Sequence, residues 1–348
     1  MNNQGKPRFS PSSYIRFLAC NKTFTLRSEY PSIRVKTPQK ALLGQIAHKV
    51  VEKLSKIHQG LNLDNLNSVF DELWREVEQG YFDQYEKEWL PSPVPPINSW
   101  KSYFKIKVAA KGLIRARLSE LKDGDSVLLF NVQGTRFLSE EYIEDVELGI
   151  EGYVDRLVIF PDAIYVYDYK FGQSELDSPE YKIQLGLYSI LASRKFGLPV
   201  KKAAVIAGGG MEYVFQFQDG FLKDLQSGIS KAQMVISENR PVARPSLKNC
   251  KFCSFKPVCE EFNQAGITSE SGIPLVIRGK ILDVVKLNQE FTSLTISDGA
   301  GQASIQVSKV PSGYNFKEGQ QIHISGPLQF FSTSAAEAKP NTIFWSLS

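Results

Sequence analysis

Apolar residues recur at helical spacing over 41–58, where Leu43, Ile46, Val50, Leu54 and Ile57 share one stripe. Gly44, His48 and Glu52 step by four and form a second stripe on another face. Residues 61–90 continue in helical pattern until Pro91-Ser92-Pro93-Val94-Pro95-Pro96 breaks it. A basic helix is then predicted from Trp100 to about Lys122. On it Lys101, Lys105, Lys107, Lys111, Arg115 and Lys122 fall within an arc of roughly 160°. Ile106, Ala109, Ala110, Leu113, Ile114 and Leu121 fill most of the rest, with Arg117 as the exception. Such an arc is either a solvated face or a track for a phosphate backbone.

From Ser126 the pattern shortens to that of strands. Val127–Asn131, Arg136–Gly149, Ile150–Phe160 and Ala163–Asp168 are rich in β-branched and aromatic residues, and Pro161-Asp162 is a tight turn between two of them. A helix is predicted from about Ser178 to Phe196. Two strands flank Gly208-Gly209-Gly210, and another helix runs from Gly220 to about Asn239. The triplet lacks the GxxxxGK spacing of a phosphate loop and reads as a hairpin turn. Past Gln264 the chain changes character. Ser269-Glu270-Ser271-Gly272 is linker-like, and short strands follow at Leu275–Val285, Phe291–Ser297, Ala303–Val307, Gln321–Gly326 and Thr342–Trp345. Five strands with the turn Asp298-Gly299-Ala300-Gly301 suggest a small barrel of the OB type. The expected organisation is therefore an α/β domain over 1–268, helical at its start, and a small all-β domain over 269–348.

Composition narrows the function classes. At about 150 residues per domain, 348 residues accommodate two domains. Hydrophobic residues at 42% and charged residues at 22% exclude wholesale disorder. No stretch reaches the roughly 18 consecutive apolar residues of a membrane span, so no membrane partner is expected. The start, Met1-Asn2-Asn3-Gln4-Gly5-Lys6, carries no apolar signal segment, and the cytoplasm is the expected compartment. Net charge is only +4, from 41 basic against 37 acidic residues, so any grip on nucleic acid must come from local patches. Residues 270–348 hold six of each sign and are neutral. Such a module binds bases through aromatics such as Phe291, Phe330 or Phe331, packs internally, or docks a protein partner.

Two groups of residues carry candidate chemistry. Cys20 stands alone, and Cys250, Cys253 and Cys259 cluster 230 residues later. A reducing cytoplasm argues against disulfides, and four thiols are what a tetrahedral metal or an iron–sulfur cluster consumes. Four unrelated buried thiols are the alternative. The second group is Gly152-Tyr153-Val154-Asp155 followed by Asp168-Tyr169-Lys170. Adjacent strands joined by a short turn bring Asp155 and Asp168 to the same end of a sheet, where hard carboxylate oxygens suit Mg²⁺ or Mn²⁺. Asp168 and Lys170 share a face, and a lysine there orients a water or neutralises charge on a phosphorane-like transition state. A surface ion pair at a strand end is the bland alternative.

Taken in order, Ser12-Ser13…Cys20, Gly44…His48, Gly152…Asp155, Asp168…Lys170, Gln184…Tyr188 and Cys250…Cys253…Cys259 closely resemble the RecB-like branch of the PD-(D/E)XK nuclease superfamily. The likeness spans roughly residues 10–264. It is strongest to members with an iron–sulfur cluster: CRISPR-adaptation nucleases, AddB-type recombination nucleases, and the nuclease domain of eukaryotic replication helicase–nucleases. The resemblance implies a restriction-endonuclease-like core and metal-dependent hydrolysis of DNA, as single strands or ends, with exonuclease action favoured. It implies metal binding by His48, Asp155, Asp168 and the backbone carbonyl of Tyr169, with Lys170 as the catalytic lysine. Gln184 and Tyr188 form the QxxxY motif, on one helix face where they could position the scissile strand. Cys20, Cys250, Cys253 and Cys259 would hold a 4Fe–4S cluster, with zinc as the rival occupant. Asn21 stands where members often have proline, Tyr169 and Phe171 are tolerated variants, and the OB-like tail lies outside the nuclease core. The competing expectation is a DNA-binding or partner-dependent subunit that has kept the fold.

Overall fold

The computed structural model describes residues 7–31, 33, 37–56, 61–92, 94–122, 135–171, 175–251, 253–268, 275–297, 304–326, 328–339 and 342–347. Helices α1 (Pro11–Ala19), α2 (Lys22–Glu29), α3 (Gln39–Lys56), α4 (Leu66–Trp89) and α5 (Tyr103–Lys122) precede strands β1 (Arg136–Asp145), β2 (Ile150–Ile159) and β3 (Ile164–Lys170). Then come α6 (Pro179–Phe196), β4 (Val200–Ala207), β5 (Glu212–Val214), α7 (Phe221–Ser237), α8 (Leu247–Cys250) and α9 (Glu260–Ala265). The strand expected over 127–131, the linker at 269–272 and the turn at 298–301 lie outside the described residues. The chain divides into two compact units made of interleaved segments. One comprises Met1–Leu18, Gln39–Phe82 and Ile97–Pro241; the other comprises Ala19–Pro38, Asp83–Pro96 and Val242–Ser348.

The first unit is built on a sheet of order β1-β2-β3-β4-β5. β1, β2 and β3 form an antiparallel meander, and β3 pairs parallel with β4 after the α6 crossover. A parallel pair needs such a long connection, and a helix is its usual form. Its ends are chemically marked: the Ser178 side chain accepts the Tyr181 N–H, Pro179 opens the first turn, and left-handed Gly197 closes the last. Residues 185–192 of α6 are buried, and the helix lies against β1 to β4.

The apolar stripe expected of the first long helix is the buried face of α3, with Leu43, Ile46, Val50 and Leu54 all at most 1% exposed. α3 packs on α5, whose Ile106, Ala110, Leu113 and Ile114 are buried. The basic arc of α5 is partly engaged in the fold. Lys107 and Lys111 lie 3.2 and 2.9 Å from the Asp71 carboxylate on α4, and they sit over the rings of Trp74 and Phe70. Those two cations tie helix to helix.

The second unit gathers the cysteine-bearing segments and the C-terminal strands: β6 (Val276–Lys286), β7 (Phe291–Ser297), β8 (Ser304–Pro311), β9 (Gln321–Ser325), β10 (Leu328–Ser332), β11 (Ala335–Ala338) and β12 (Ile343–Leu347). They form a curled sheet, a half-barrel, of order β10-β11-β8-β7-β6-β9-β12. Its core includes Ile281, Leu294, Ile296, Val307, Ile322 and Ile324. Seven strands replace the five expected. The two additional ones, Leu-Gln-Phe-Phe-Ser and Ala-Ala-Glu-Ala, are too short to show a clean period of two. Arg278 on β6 donates to the Lys256 carbonyl and to the Asn263 side chain. The cysteine-bearing turns and the first strand of the sheet are thus packed together. Among the described residues no helix is long and apolar enough to cross a membrane.

Gly208-Gly209-Gly210 forms the hairpin between β4 and β5, closed by Ala207 N–H to the Met211 carbonyl at 2.8 Å. Two of its glycines are left-handed, Gly209 at φ 85° and Gly210 at φ 86°. Gly208 serves another purpose: a Cβ there would lie 2.3 Å from the Cβ of Ala109 on α5. The turn therefore docks on a row of small residues, and an added methyl must push the helix away. Gly208→Ala is expected to lower unfolding stability by about 1–3 kcal/mol in urea titrations. Ala109→Gly in the same chain should recover part of that loss, giving a measurable coupling between the two positions.

Candidate active site

The β2–β3 ladder ends at Arg156 opposite Tyr167, so the next residues outward, Asp155 and Asp168, face each other. There the two strands part. β3 stays with β4, where Asp168 is opposite Val205, and β2 stays with β1. The Tyr169 N–H uses the gap, donating to Asp155 Oδ2 at 2.6 Å. Lys170 Nζ lies 2.5 Å from Asp168 Oδ2, and this oxygen is buried without a directed hydrogen bond. From α6, Gln184 Nε2 donates to Asp168 Oδ1 at 2.8 Å, and Gln184 Oε1 accepts from Lys170 Nζ at 3.3 Å. Tyr188 OH, one turn further along, accepts from the same amide at 3.4 Å. Its ring fills the space that a Cβ at Gly152 would contest, 3.2 Å away. Gln184 and Tyr188 thus brace the carboxylate–lysine pair from one helix face.

His48 arrives from α3 on the opposite wall. Its Nδ1 lies 3.4 Å from Asp155 Oδ2 and 3.5 Å from Glu140 Oε1, and its ring meets Phe171 edge-on at 5.2 Å. Glu140 is a site residue that motif reading missed. Ser139 is opposite Arg156 and Glu141 is opposite Val154, so Glu140 faces Asp155. It adopts φ 51°, a left-handed backbone that costs a residue with a Cβ roughly 1–3 kcal/mol. Counting outward from the turn between β1 and β2 would have found it, since register alone sets it across from Asp155. His48, Glu140 and Asp155 bring their donor atoms within 4.8 Å of one another. They share an open cavity of about 460 Å³ with Asp168, Lys170 and Gln184. All the residues expected to form the catalytic centre are therefore brought together, with Tyr169 present through its N–H.

Burial dominates the electrostatics. It pushes Asp168 up to about 6, with Lys170 opposing and Asp155 reinforcing. Asp155 is raised for the same first reason, against His48 and Lys170. For His48 burial works downward, but Asp155 and Glu140 outweigh it and hold the imidazole above its ordinary value. Burial also opposes the charge of Lys170, and Asp168 and Asp155 again outweigh it. Tyr188 is kept protonated by burial. Oxygen donors with one imidazole suit a hard divalent cation, and His48, Glu140 and Asp155 bring three such donors together. The residues fit the metal: His48, Glu140, Asp155 and Asp168 would hold it.

In the second unit all four cysteines line one small cavity with Lys256. No disulfide joins them. Burial raises Cys250 and Cys253 above the ordinary thiol range, and burial together with Glu261 pushes Cys259 up to about 11. Lys256 is 5% exposed and donates to the Lys251 carbonyl at 3.0 Å. Among the described residues the groups acting to keep it charged are the sulfurs of Cys253 and Cys250. A buried ammonium calls for a nearby anion, and four thiolates around a metal or cluster would provide it. The donor set fits such a group. Asn21, the departure from proline, is buried and accepts the Val242 N–H, joining the Cys20 segment to the chain ahead of Cys250.

A family model described as the PD-(D/E)XK nuclease superfamily matches residues 8–260. No curated protein matches the chain. Among solved structures, one titled "Structure of murine DNA binding protein bound with ds DNA" aligns over 61% of this chain and 94% of its own, at 10% identity and a TM-score of 0.18. At that score the likeness carries no argument.

Glu140→Gly removes a carboxylate and relieves the left-handed backbone. It is expected to raise stability in EDTA by up to about 1 kcal/mol while weakening Mn²⁺ binding at least about tenfold, read by urea unfolding and titration calorimetry. For Asp168 the sign follows from its raised value. Between about pH 4 and 6 the folded protein keeps a proton that the unfolded carboxyl, titrating near 3.8, has lost. Metal-free protein should therefore lose stability relative to Asp168→Asn as pH rises through that window. Parallel urea midpoints that do not diverge would contradict this.

Proposed function

We propose that this chain, which belongs to the PD-(D/E)XK nuclease superfamily, is a divalent-metal-dependent deoxyribonuclease of the RecB-like branch. Its substrates are single-stranded DNA or DNA ends, cut as an exonuclease, in repair, recombination or CRISPR-type defence. The reading takes residues 1–268 as the nuclease domain and 269–348 as an OB-like domain that docks a protein partner, in the cytoplasm. The observation that carries it is the facing pair Asp155 and Asp168 with Lys170 held on the same strand face. His48 and Glu140 close the other side of that cavity.

Each group has a role that its position supports. His48, Glu140, Asp155 and Asp168, with the Tyr169 carbonyl, would hold Mg²⁺ or Mn²⁺. When bound, the cation supplies Lewis acidity and lowers the pKa of a water. Lys170 orients the attacking water and offsets the charge that grows on the phosphoryl oxygens. Gln184 fixes the direction of both Asp168 and Lys170. Tyr188, kept protonated by burial, accepts from the Gln184 amide and helps to hold that side chain in place. Cys20, Cys250, Cys253 and Cys259 hold a 4Fe–4S cluster that restrains the long segment between the first and the last three, with Lys256 as its buried counter-charge.

The test is cleavage of 5′- and 3′-labelled single-stranded and duplex DNA with Mg²⁺, Mn²⁺ or EDTA. Expected are metal-dependent ladders and a loss of about 100-fold or more in Asp168→Ala and Lys170→Ala. Cluster-loaded wild type that binds DNA and never cuts would move the chain to a binding or partner-dependent role. Elemental analysis of the same protein separates iron from zinc. Iron with a thiolate-to-iron absorbance lost in Cys253→Ser is the expected result.

A further inference from the structure

Tyr153 stands two residues before Asp155 on β2, so its side chain leaves the sheet on the face that carries the carboxylate. It lines the same cavity, yet its surface is 60% exposed. A tyrosine ring gains by being covered, and an open one beside a cavity of charged groups has a face to offer. Directly across the ladder lies Tyr142, with ring centroids 5.1 Å apart and planes tilted by 50°. Tyr142 OH donates to Glu151 Oε2 at 3.1 Å, and Arg8 lies 3.4 Å from that same oxygen. The rear ring is thus pinned, while the front ring projects toward the mouth of the site. Two residues of strand span roughly 6.7 Å, about the reach of one nucleotide from the carboxylates.

We propose that Tyr153, backed by Tyr142, is a stacking platform for an unpaired base of the strand whose phosphate enters the cavity. This rests on the nuclease reading above and deepens it. The acidic and basic groups handle the phosphate, and the tyrosine pair tests whether the adjoining base is free of a partner. A base inside a duplex has both faces covered by its neighbours, so single strands, flaps and the last base of an end present a face to Tyr153, and the duplex interior does not. Stacking on an aromatic tolerates any base, so the platform selects strandedness without selecting sequence.

The experiment moves 2-aminopurine along a labelled single strand and reads fluorescence and affinity in EDTA, where nothing is cut. Wild type should quench the probe at one position. Tyr153→Ala should lose the quench and bind about tenfold to a hundredfold more weakly, whereas Tyr153→Trp and Tyr153→Phe keep both. An abasic nucleotide at the quenched position should weaken wild type to the level of Tyr153→Ala and leave that variant unchanged. With Mn²⁺, Tyr153→Ala should raise KM for single strands far more than it lowers kcat. Equal binding by Tyr153→Ala, full binding of the abasic strand by wild type, or failure of the Trp and Phe variants together with Ala would each overturn the platform. Quenching by a wild type that never cuts would sink the nuclease reading and leave the platform standing. Cutting without quenching would do the reverse.

Discussion

Two carboxylates buried opposite each other repel, and much of the first unit can be understood as an answer to that repulsion. Asp155 and Asp168 face one another where β2 and β3 part, and water reaches them poorly, at 9% and 1% exposure. Burial favours the neutral acid and a neighbouring like charge adds to the effect. The fold opposes both from three directions. α3 delivers His48, β3 delivers Lys170 and the Tyr169 N–H, and α6 delivers the Gln184 amide. The parallel crossover through α6 is what makes the last of these geometrically possible, because it returns a helix across the strands that carry the acids.

The second unit shows the same problem with the sign reversed. There the buried charge is Lys256, and the groups that could balance it are thiols whose own burial keeps them protonated. An ammonium among neutral thiols is poorly balanced, and it becomes well balanced once the thiols give up protons to a metal. The half-barrel is packed onto this region through Arg278. Residues 242–268 and the first strand of the sheet are therefore a poor place to cut the chain when preparing fragments.

Much of this was legible in the sequence, and the reasons differ by element. The stripe on α3 and the facing aspartates could be read because periodicity and a two-residue turn at Pro161-Asp162 fix them locally. Ser178, Pro179 and Gly197 mark α6 by cap chemistry alone. Glu140 was missed because it belongs to no motif, and only the register across the β1–β2 turn sets it opposite Asp155. The pairing of Lys107 and Lys111 with Asp71 was hidden because an arc of charge on one helix says nothing about what the neighbouring helix presents. Lys256 looked like any other lysine between two cysteines, since burial belongs to the tertiary structure. β10 and β11 escaped because strands of four or five residues draw their identity from their neighbours: β11 pairs with β8, and β10 with β11.

Gln184 has a consequence for which substitutions the site can accept. Its amide presents a donor to Asp168 and an acceptor to Lys170, and that order matches the order of charge along β3. Glutamate at the same position would set a third carboxylate against Asp168, and lysine or arginine would set a second cation against Lys170. Asparagine carries the right groups but is one methylene too short to reach both from the helix. The amide therefore works as a polarity key. Two acids or two bases at 168 and 170 would leave one end of that amide facing a group of its own polarity.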